Sequence, residues 1–433
     1  MKTDEGQSVL TSKVDGSPRA AALRVAYLTG RYPEVSLTFI LREVEALRRS
    51  GLEVLTCSIR RTPPEQHLGL AEKEAAQTTF HVLESARNPL SLLAAQSYLL
   101  RSPIRYLGAL RLAWATRSPG WKAAVYQLIF FVEATILARH LERNGVEHIH
   151  NHFVFGSATV AMLASKLTGI PYSFTLHGPA DLFEPYRWAL KEKTARAAFV
   201  VAISHFARSQ LMFFSDPDDW HKLHVVHCGV DADRYDEDRP ARKDAAFRLL
   251  FVGRLARVKG LRVLFDALRS LASDFPNLRL HLVGDGPDRA ELEAVADAHV
   301  TFAGYKSQAE VAALMKEADL FVLPSFAEGV PVVLMEAMAS RLPVIATRVA
   351  GVAELVEENV SGLLVPPGDT DALAQAIRTL VTDRERSTAM GEAGQAKVAA
   401  DFDIDTEAAK LAALFRGQAG TVSYSPSLGQ DLA

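Results

Sequence analysis

Two glutamates eight positions apart, Glu328 and Glu336, stand in the segment EGVPVVLMEAMA at residues 328–339. The segment follows an apolar run suited to a buried strand, so Glu328 falls on a loop. Pro331 fits the first turn of a helix, where its missing N–H costs little, and Glu336 then lies one to two turns into that helix. The spacing predicts two hydrogen-bond acceptors that point into one cleft.

The start of this predicted helix supplies donors as well as acceptors. The N–H groups of Val330, Val332 and Val333, directly after Gly329, lack partners within a helix and favour a phosphate group. Amides for an anion beside carboxylates for hydroxyls match a phosphorylated sugar or a nucleotide. The competing interpretation is a solvated loop and an ordinary helix surface, because acidic residues are mostly exposed.

A second anion-binding element precedes the first. The run FRLLFV at residues 247–252 predicts a strand and leads into GRLARVKG at residues 253–260. Arg254 and Lys259 therefore follow the carboxyl end of a strand, where open α/β sheets bind ligands. A guanidinium grips phosphate oxygens in a bidentate manner, and a lysine adds a compact charge. Two such elements in one half of the chain favour a phosphate site over unrelated surface loops.

The elements that must position these residues alternate between strand and helix. At 433 residues, with 48% hydrophobic and 23% charged residues, the chain suits two globular domains. The alternation predicts a parallel, helix-covered sheet in each domain. In the first half we expect strands at residues 23–28, 53–58, 146–150, 172–176 and 199–202, and helices at 37–49 and 155–167. The second half repeats the pattern over residues 247–384, after a linker at 228–238.

Three further motifs follow GRLARVKG in order: VGDGP at residues 283–287, FAGY at 302–305 and GLLVPPGD at 362–369. Together with residues 325–356, they resemble the carboxyl-terminal domain of retaining glycosyltransferases of family four, which have the GT-B fold. The resemblance covers this domain almost completely, and the order and spacing of its motifs are specific.

The amino-terminal half is similar in a looser way to transferases of bacterial exopolysaccharide assembly, of the colanic-acid type. The similar pieces are RYPEVSLTFI at residues 31–40, HIHNHF at 148–153, SFTLHGPADLF at 173–183, VVAISHFARSQL at 200–211 and VVHCGVD at 225–231. The loop at residues 29–36 departs from the family, because Gly30 alone remains of its double glycine. Leu37 also stands where related enzymes often carry a glutamate.

The resemblance implies two Rossmann-like, doubly wound α/β domains with the active site in the cleft between them. We expect an acceptor domain at residues 22–228, with a helical insertion at about 85–143, and a donor domain at 229–400. A helix at residues 401–416 is expected to cross back to the first domain. Residues 1–21 and 417–433 are expected to be loose tails.

The resemblance also implies a role for each candidate residue. Arg254, Lys259 and the amides that begin at Gly329 are expected to stabilise the departing diphosphate, whose charge grows in the transition state. Glu336 is expected to bind the ribose hydroxyls. Glu328 is expected to bind the hydroxyls of the donor sugar or to face the partial positive charge at its anomeric carbon.

The substrates follow from the same resemblance. The donor is expected to be a UDP- or GDP-linked sugar, with Tyr305 beside the base, although a plain surface tyrosine is the competing interpretation. The reaction is expected to retain the anomeric configuration and to need no metal ion and no cofactor. The acceptor is expected to be a glycan or a polyprenyl-linked sugar, and no nucleic acid partner is expected.

His177 ends the apolar strand SFTL beside a turn, and so is expected to face the cleft. A lone histidine is more often structural, but by resemblance this one lies beside the reacting carbon of the donor sugar. It would act through its carbonyl or its ring. Asp181, four residues later, could bind a sugar hydroxyl or cap a helix.

His148, His150 and His152 alternate like a strand and raise the question of a metal site. Their neighbours supply no matching acidic or thiol ligands, and the family uses no metal here, so we favour a structural role. Cys57 and Cys228 are the only two cysteines, which argues against a disulfide framework and for a reducing compartment.

Charge divides unevenly along the chain. Residues 1–228 carry a net charge of +6 and residues 229–433 a net charge of −9. Between residues 85 and 132 lie six bases and no acid, mixed with tryptophan, tyrosine and leucine at helical spacing. Such a segment can lie on an anionic membrane surface, or its apolar stripe can pack on its own domain; we slightly favour packing.

The amino terminus has early acidic residues and no apolar core, so we expect no signal peptide. The apolar run at residues 125–138 is shorter than a membrane span and contains Glu133. We therefore expect a cytoplasmic protein, peripheral on the inner face of the membrane if the basic segment binds it. Two alternatives to a transferase remain at this point: a non-catalytic nucleotide-sugar-binding protein and a sugar-nucleotide epimerase of the same architecture.

Overall fold

The computed structural model describes residues 22–34, 37–67, 69–235 and 246–418, apart from the side chain of Ala180. The predicted amino-terminal tail, residues 419–433 of the other tail and residues 236–238 of the predicted linker lie outside these ranges.

The first domain is built on a parallel sheet of seven strands in the order β3-β2-β1-β4-β5-β6-β7. The strands at residues 148–152, 172–176 and 200–202 are buried along their whole length, because helices cover both faces of a parallel sheet. The strands are β1 Arg24–Arg31, β2 Glu53–Arg60, β3 Phe80–His81, β4 His148–His152, β5 Tyr172–Leu176, β6 Val200–Ala202 and β7 Leu223–Val225.

Eleven helices belong to the described part of this domain. They are α1 Thr38–Arg49, α2 Leu70–Thr78, α3 Val82–Ala86, α4 Pro89–Ala95, α5 Tyr98–Arg101, α6 Pro103–Ala115, α7 Trp121–Arg143, α8 Gly156–Thr168, α9 Pro179–Leu182, α10 Leu190–Arg196 and α11 His205–Phe214. Helices α3 to α7 form the predicted insertion.

The second domain has a parallel sheet of six strands in the order β10-β9-β8-β11-β12-β13. Its strands are β8 Phe247–Val252, β9 Leu278–Val283, β10 Val300–Gly304, β11 Leu320–Leu323, β12 Val344–Thr347 and β13 Leu363–Val365. Its helices are α12 Leu261–Leu271, α13 Arg289–Glu293, α14 Gln308–Glu317, α15 Val332–Ala339, α16 Val352–Leu355, α17 Thr370–Thr382 and α18 Arg384–Asp401. The prediction of two helix-covered parallel sheets is confirmed.

A last helix, α19 Ile404–Phe415, packs on the first domain. Its buried face, which includes Leu411 and Phe415, joins the core formed by β1 and α1. The chain crosses between the domains where Val230 donates its N–H to the carbonyl of Phe402 at 2.9 Å, and Ile404 donates to the carbonyl of Val230 at 3.1 Å. The two segments that connect the domains, one at Val230 and the other at residues 402–404, therefore lie side by side.

Helix α7 is the one helix among the described residues that is long and apolar enough to span a membrane by length and composition. Its second half is buried in the core of the first domain, with Phe131, Leu137 and Leu141 each at most 4% exposed. That half also carries the buried Glu133, whose pKa burial raises to about 7. A helix whose second half is fixed in a protein core is not free to cross a bilayer.

Candidate active site

The loops after β8 and β11 are fastened together at the carboxyl ends of their strands. Gly260 has a φ of +64°, and a Cβ at this position would lie 2.0 Å from the carbonyl oxygen of Pro324. Only glycine fits such an approach. Phe326 also donates its N–H to the carbonyl of Val258 at 2.7 Å. The two segments singled out in the sequence thus form one structural unit.

Lys259 and Glu328 form an ion pair within that unit. The Lys259 Nζ lies 2.6 Å from Glu328 Oε1, and the hydroxyl of Ser325 donates to the same oxygen at 2.6 Å. The two ionic side chains are only 20% and 10% exposed. Sequence considerations gave these residues separate roles, and the structure adds that the carboxylate of Glu328 compensates the charge of Lys259.

Arg254, in the same loop as Lys259, differs from it in having no acidic partner among the described residues. It follows β8 and is exposed, and within the described ranges no carboxylate or carbonyl engages its guanidinium. The nearby Arg257 is also exposed but lies 3.7 Å from a carboxylate oxygen of Glu291. Of the two arginines in this loop, Arg254 is the one whose charge is available to a ligand.

Helix α15 begins one residue later than its proline suggested. Pro331 occupies the N-cap position, with φ −73° and ψ 117°, rather than the first helical turn. The N–H groups of Val330, Val332 and Val333 donate to no acceptor in the described part of the chain, as predicted for a helix start. These amides remain available to an anion, and Glu336 lies one turn into the helix.

The two domains touch at the backbone of Gly329. A Cβ on Gly329 would lie 2.1 Å from the carbonyl oxygen of His177, and a Cβ on Gly178 would lie 2.8 Å from Gly329 Cα. Gly178 has a φ of +148°, which disfavours other residues. The two glycines therefore let the His177 carbonyl reach the loop that carries Glu328.

The ring of His177 turns into the first domain. Its Nε2 lies 2.8 Å from Nδ1 of His152, its Nδ1 lies 3.8 Å from the Cys228 sulfur, and the rings of Phe39 and Phe153 pack against it. Burial, and then the neighbouring His152, lower the pKa of His177 well below its usual value, so its ring is neutral at pH 7. Of the two roles predicted for His177, the geometry favours the carbonyl.

A buried carboxylate lies at the far side of His152. Glu43 of α1 accepts a hydrogen bond from the hydroxyl of Tyr27 at 2.7 Å, and the same oxygen lies 3.4 Å from Nε2 of His152. Nε2 of His152 makes no hydrogen bond to this carboxylate, but its proximity favours the tautomer that carries the proton on Nε2, whose Nδ1 accepts the Nε2–H of His177. The series Glu43, His152, His177 would then set the tautomer and orientation of the last ring.

Glu43 also bears on whether the histidines of β4 could bind a metal ion. With His150 and His152 it forms a group whose potential ligand atoms all lie within 4.8 Å of one another, so the fold brings to these histidines an acid that their sequence neighbours do not supply. The acid comes from α1, far away in sequence. Both nitrogens of His150 are, however, already within hydrogen-bonding distance of Ser173 and Thr175. A buried hydrogen-bond network explains the cluster better than a metal site.

Asp181 neither caps a helix nor is available to a sugar. It is 1% exposed, and its two oxygens accept the N–H groups of Val154 at 3.1 Å and of His177 at 2.8 Å. Burial raises its pKa to about 6 against these hydrogen bonds. Asp181 therefore holds the backbone of His177 in place through its N–H, and with it the His177 carbonyl.

Lys193 of α10 holds the loop after β4, to which Asp181 is also hydrogen-bonded. Its buried Nζ donates to the carbonyl of Val154 at 2.6 Å and to that of Phe155 at 3.2 Å. The preceding residue, Phe153, has a φ of +71°, a strained value for a side chain of its size. Burial lowers the pKa of Lys193 to about 7, with Asp181 acting in the opposite direction.

This lowered pKa predicts a pH dependence of stability. Between the folded pKa of about 7 and the ordinary value of 10.5, the unfolded chain binds more protons at Lys193, so folding stability should rise with pH. Across this pH window, we expect the free energy of unfolding of the wild type to rise by on the order of 2–4 kcal/mol more than that of Lys193→Met. Chemical denaturation of both proteins along a pH series measures it; a constant difference between them would contradict the assignment.

Glu336 sits in a cluster that spans both domains. Its Oε1 accepts from Arg42 Nη2 of α1 at 2.5 Å and from the hydroxyl of Tyr235 at 3.0 Å, while Gln308 accepts from the same guanidinium at 2.8 Å. Its Oε2 has no hydrogen bond within the described ranges, and the side chain is 11% exposed. One oxygen of Glu336 thus holds the domains together, and the other remains for a ligand.

A second carboxylate joins the domains at another helix start. Glu354 of α16 accepts the N–H groups of His205 at 2.7 Å and Phe206 at 2.8 Å, the first amides of α11. Tyr305, by contrast, stands at the end of β10 with 52% of its surface exposed and no described partner that would define a role. The structure therefore leaves both interpretations of Tyr305 open.

Sequence considerations missed Arg42, Glu43, Glu354 and Lys193. None belongs to a motif with a local signal: all four lie within helices, where charged residues usually face solvent, and their partners are distant in sequence. The one available hint was charge on an otherwise apolar helical face, as at Arg42 and Glu43, which are both buried on α1.

Comparison with known proteins agrees with this geometry. A family model described as Glycosyltransferase Family 4 matches residues 36–234, and one described as Glycosyl transferases group 1 matches residues 246–383. Each match falls within one of the two domains seen in the structure, and residues 235–245 between them are matched by neither model.

Full-length relatives carry related names. The GDP-mannose-dependent alpha-(1-6)-phosphatidylinositol monomannoside mannosyltransferase of Mycobacterium tuberculosis is 31% identical over 365 residues, covering 74% of this chain and 94% of the relative. WcaL of Escherichia coli, named for colanic acid biosynthesis, is 26% identical over 91% of this chain and 100% of its own length.

Among solved structures, HepE of Anabaena in complex with UDP superimposes with a TM-score of 0.67 at 19% identity, covering 91% of this chain and 100% of that one. At this level of identity the likeness concerns the fold, and it confirms the predicted GT-B architecture.

Proposed function

This chain belongs to glycosyltransferase family 4, and from that premise we propose that it transfers a sugar from a nucleotide-sugar donor to a glycan or polyprenyl-linked acceptor, with retention and without a divalent ion. The observation that carries the proposal is the meeting of both domains at Gly329. There the His177 carbonyl lies against the loop that carries Glu328 and leads into the unpaired amides at the start of α15.

The donor diphosphate is assigned to the cations and amides of the second domain. Arg254 is unengaged by described acids, and the amides of Val330, Val332 and Val333 are unpaired. Cleavage of the donor leaves negative charge on the diphosphate, so fixed positive groups stabilise the transition state more than the ground state. Lys259 would join them by exchanging part of its contact with Glu328 for a phosphate oxygen.

The ribose is assigned to the unbonded oxygen of Glu336. A carboxylate accepts readily from two neighbouring hydroxyls, and this one is held in place through its other oxygen by Arg42 and Tyr235. A site that is already oriented loses little entropy on binding. The domain contact and the nucleotide would therefore share one side chain.

The reacting sugar is assigned to the space between Glu328 and the His177 carbonyl. Both are oxygen acceptors, suited to sugar hydroxyls and to the partial positive charge that grows at the anomeric carbon. The acceptor oxygen would attack from the leaving-group side, the bond from the anomeric carbon to phosphate would break, and the phosphate would take the acceptor proton. Double displacement needs two carboxylates flanking the bond, and the domain-bridging role of Glu336 argues against it.

A two-stage experiment tests the proposal. A thermal-shift panel of UDP- and GDP-sugars first identifies the donor, since a ligand that binds the folded state raises its stability. Radiolabelled donor is then incubated with and without membrane-derived acceptors. Transfer of label to an acceptor supports the proposal, whereas binding without turnover indicates a sensor and conversion of the free sugar indicates an epimerase.

Two substitutions separate binding from turnover. Glu336→Ala is expected to raise the nucleotide Kd about 10-fold or more, because hydrogen bonds from the ribose to a charged group are lost. His177→Ala keeps the carbonyl but loses the ring contacts that orient it, so kcat should fall about 100-fold with little change in Kd. Equal behaviour of both variants would overturn the assignment; Glu385→Ala and His221→Ala serve as surface controls.

A further inference from the structure

The insertion presents apolar side chains to solvent on a single surface, which we call the insertion face. It consists of Ile104, Leu107 and Trp114 of α6 and Trp121, Val125 and Leu128 of α7, each about half exposed or more. In both helices these residues recur at intervals of three, four or seven, which places them on one side of each helix. The opposite side of α6 is buried at Ala109, Leu112 and Ala113.

The two apolar stripes meet in a groove between the helices. The groove has a volume of about 400 Å³, and its lining includes Leu107, Trp114 and Leu128, with Arg111 among them. Because residues of both stripes line one groove, the insertion face is continuous rather than scattered. Contiguous apolar surface of this kind marks an interaction site in a soluble domain.

The charged side chains between residues 85 and 132 have one sign. The six bases between residues 85 and 132 are Arg87, Arg101, Arg105, Arg111, Arg117 and Lys122, and none of them forms an ion pair with an acid in the described part of the chain. The Arg117 guanidinium lies 3.9 Å from the ring centre of Trp114, and the Lys122 ammonium lies 5.7 Å from that of Trp121. Tryptophan with a neighbouring base is suited to the boundary between hydrocarbon and charged head groups.

We propose that the insertion face docks on the surface of an anionic lipid bilayer. Complementary charge selects this occupant: unpaired bases attract acidic head groups, while the apolar stripes enter the boundary of the acyl chains. The mode is peripheral, because the second half of α7 is fixed in the domain core. Sequence considerations slightly favoured packing of these stripes on their own domain; the exposure of the six apolar side chains reverses that preference.

The insertion face continues toward the active site. Ser118, in the turn between α6 and α7, donates its hydroxyl to the carbonyl of Arg187 at 3.1 Å. The segment so attached carries Phe183 and Tyr186, which are 71% and 85% exposed, and it follows directly on α9, next to His177. A docked protein would hold this edge of the cleft near the lipid surface. Docking itself does not depend on the proposed sugar transfer.

Vesicle co-sedimentation of the full chain at low ionic strength tests the proposal. Wild type is expected to bind vesicles of phosphatidylcholine mixed with phosphatidylglycerol and to ignore pure phosphatidylcholine. The charge variant Arg101→Gln/Arg111→Gln/Lys122→Gln should bind on the order of 100-fold more weakly, since each base near the surface contributes a factor of about 5. The apolar variant Ile104→Ser/Trp121→Ser should also lose binding.

A matched control removes the same number of bases elsewhere, as Lys73→Gln/Arg384→Gln/Arg386→Gln, and should bind like wild type. All variants change exposed or partly exposed side chains, and unchanged thermal unfolding midpoints would verify their folding. Failure of wild type to bind anionic vesicles, or equal binding by the charge variant and the control, overturns the proposal. So does a concentration-dependent dimer in light scattering that the apolar variant abolishes, because a second copy would then cover this face.

Discussion

Replacing Arg254 with alanine is expected to lower kcat/KM by about 10²- to 10³-fold, the usual cost of removing one preorganised donor from developing negative charge. Arg254 leaves the carboxyl end of β8 with its guanidinium unengaged by any described acid. The fixed charge of Lys259, by comparison, is partly compensated by Glu328 at 2.6 Å. Of the three bases in this loop, Arg254 is therefore the one whose charge no described carboxylate compensates.

The same loop provides the control for this prediction. Arg257 is three residues away, carries the same charge and has a side chain that is 86% exposed, but it lies near Glu291. Arg257→Ala should change kcat/KM by no more than about 2-fold, since an exposed, screened charge contributes little. Steady-state kinetics with the identified donor decide the matter. Equal losses in both variants would mean a general effect of net charge, and wild-type kinetics in Arg254→Ala would remove it from the site.

Replacing Gly329 with alanine is expected to lower kcat by about 100-fold or more. The added Cβ would lie 2.1 Å from the His177 carbonyl oxygen and 3.0 Å from a methyl group of Ile203. The first neighbour is backbone, held in place by the hydrogen bond from the His177 N–H to Asp181, so it cannot rotate away. The two domains would have to separate at the point where the reacting sugar is placed.

Nucleotide binding separates this effect from misfolding. The proposed diphosphate and ribose contacts belong to the second domain, so Gly329→Ala should still be stabilised by the nucleotide in thermal shift. Gly394→Ala in α18 is the control, because its Cβ would meet Met338 at an ordinary 3.5 Å. That change should leave turnover unaltered and stabilise the helix by up to about 1 kcal/mol. Normal turnover in Gly329→Ala would show that the close approach of the two loops is not required.

Local features of the sequence were sufficient for the elements and for half of the site. The helices predicted at residues 37–49 and 155–167 match α1 and α8 to within one residue, and the helix predicted at residues 401–416 contains α19. Helix starts and strand ends have local signals in hydrophobic periodicity, proline and glycine, so Arg254, Glu328 and the amides of α15 could be found without coordinates. Pro331 was misplaced by one position, since helix boundaries depend on dihedral angles that composition leaves open.

The directions in which side chains point could not be predicted from the sequence, because they depend on packing between distant segments. His177 was expected to face the cleft, yet its ring is held inward by His152 and Cys228, and its carbonyl points to the other domain. Asp181 was expected to meet a sugar or cap a helix, yet it accepts two backbone amides. Such choices are set by neighbours from separate strands, which no short window of sequence contains.

By itself, the sequence determined the glycosyltransferase class and the two parallel sheets, and it placed two glutamates on the loop and helix that follow one strand. The tertiary structure alone decided what those glutamates touch. Glu328 meets Lys259 across 69 positions of the chain, and Glu336 meets Arg42 across 294 positions. Periodicity and capping act over a few residues, whereas a buried ion pair forms only where two separately folded surfaces bring its partners together.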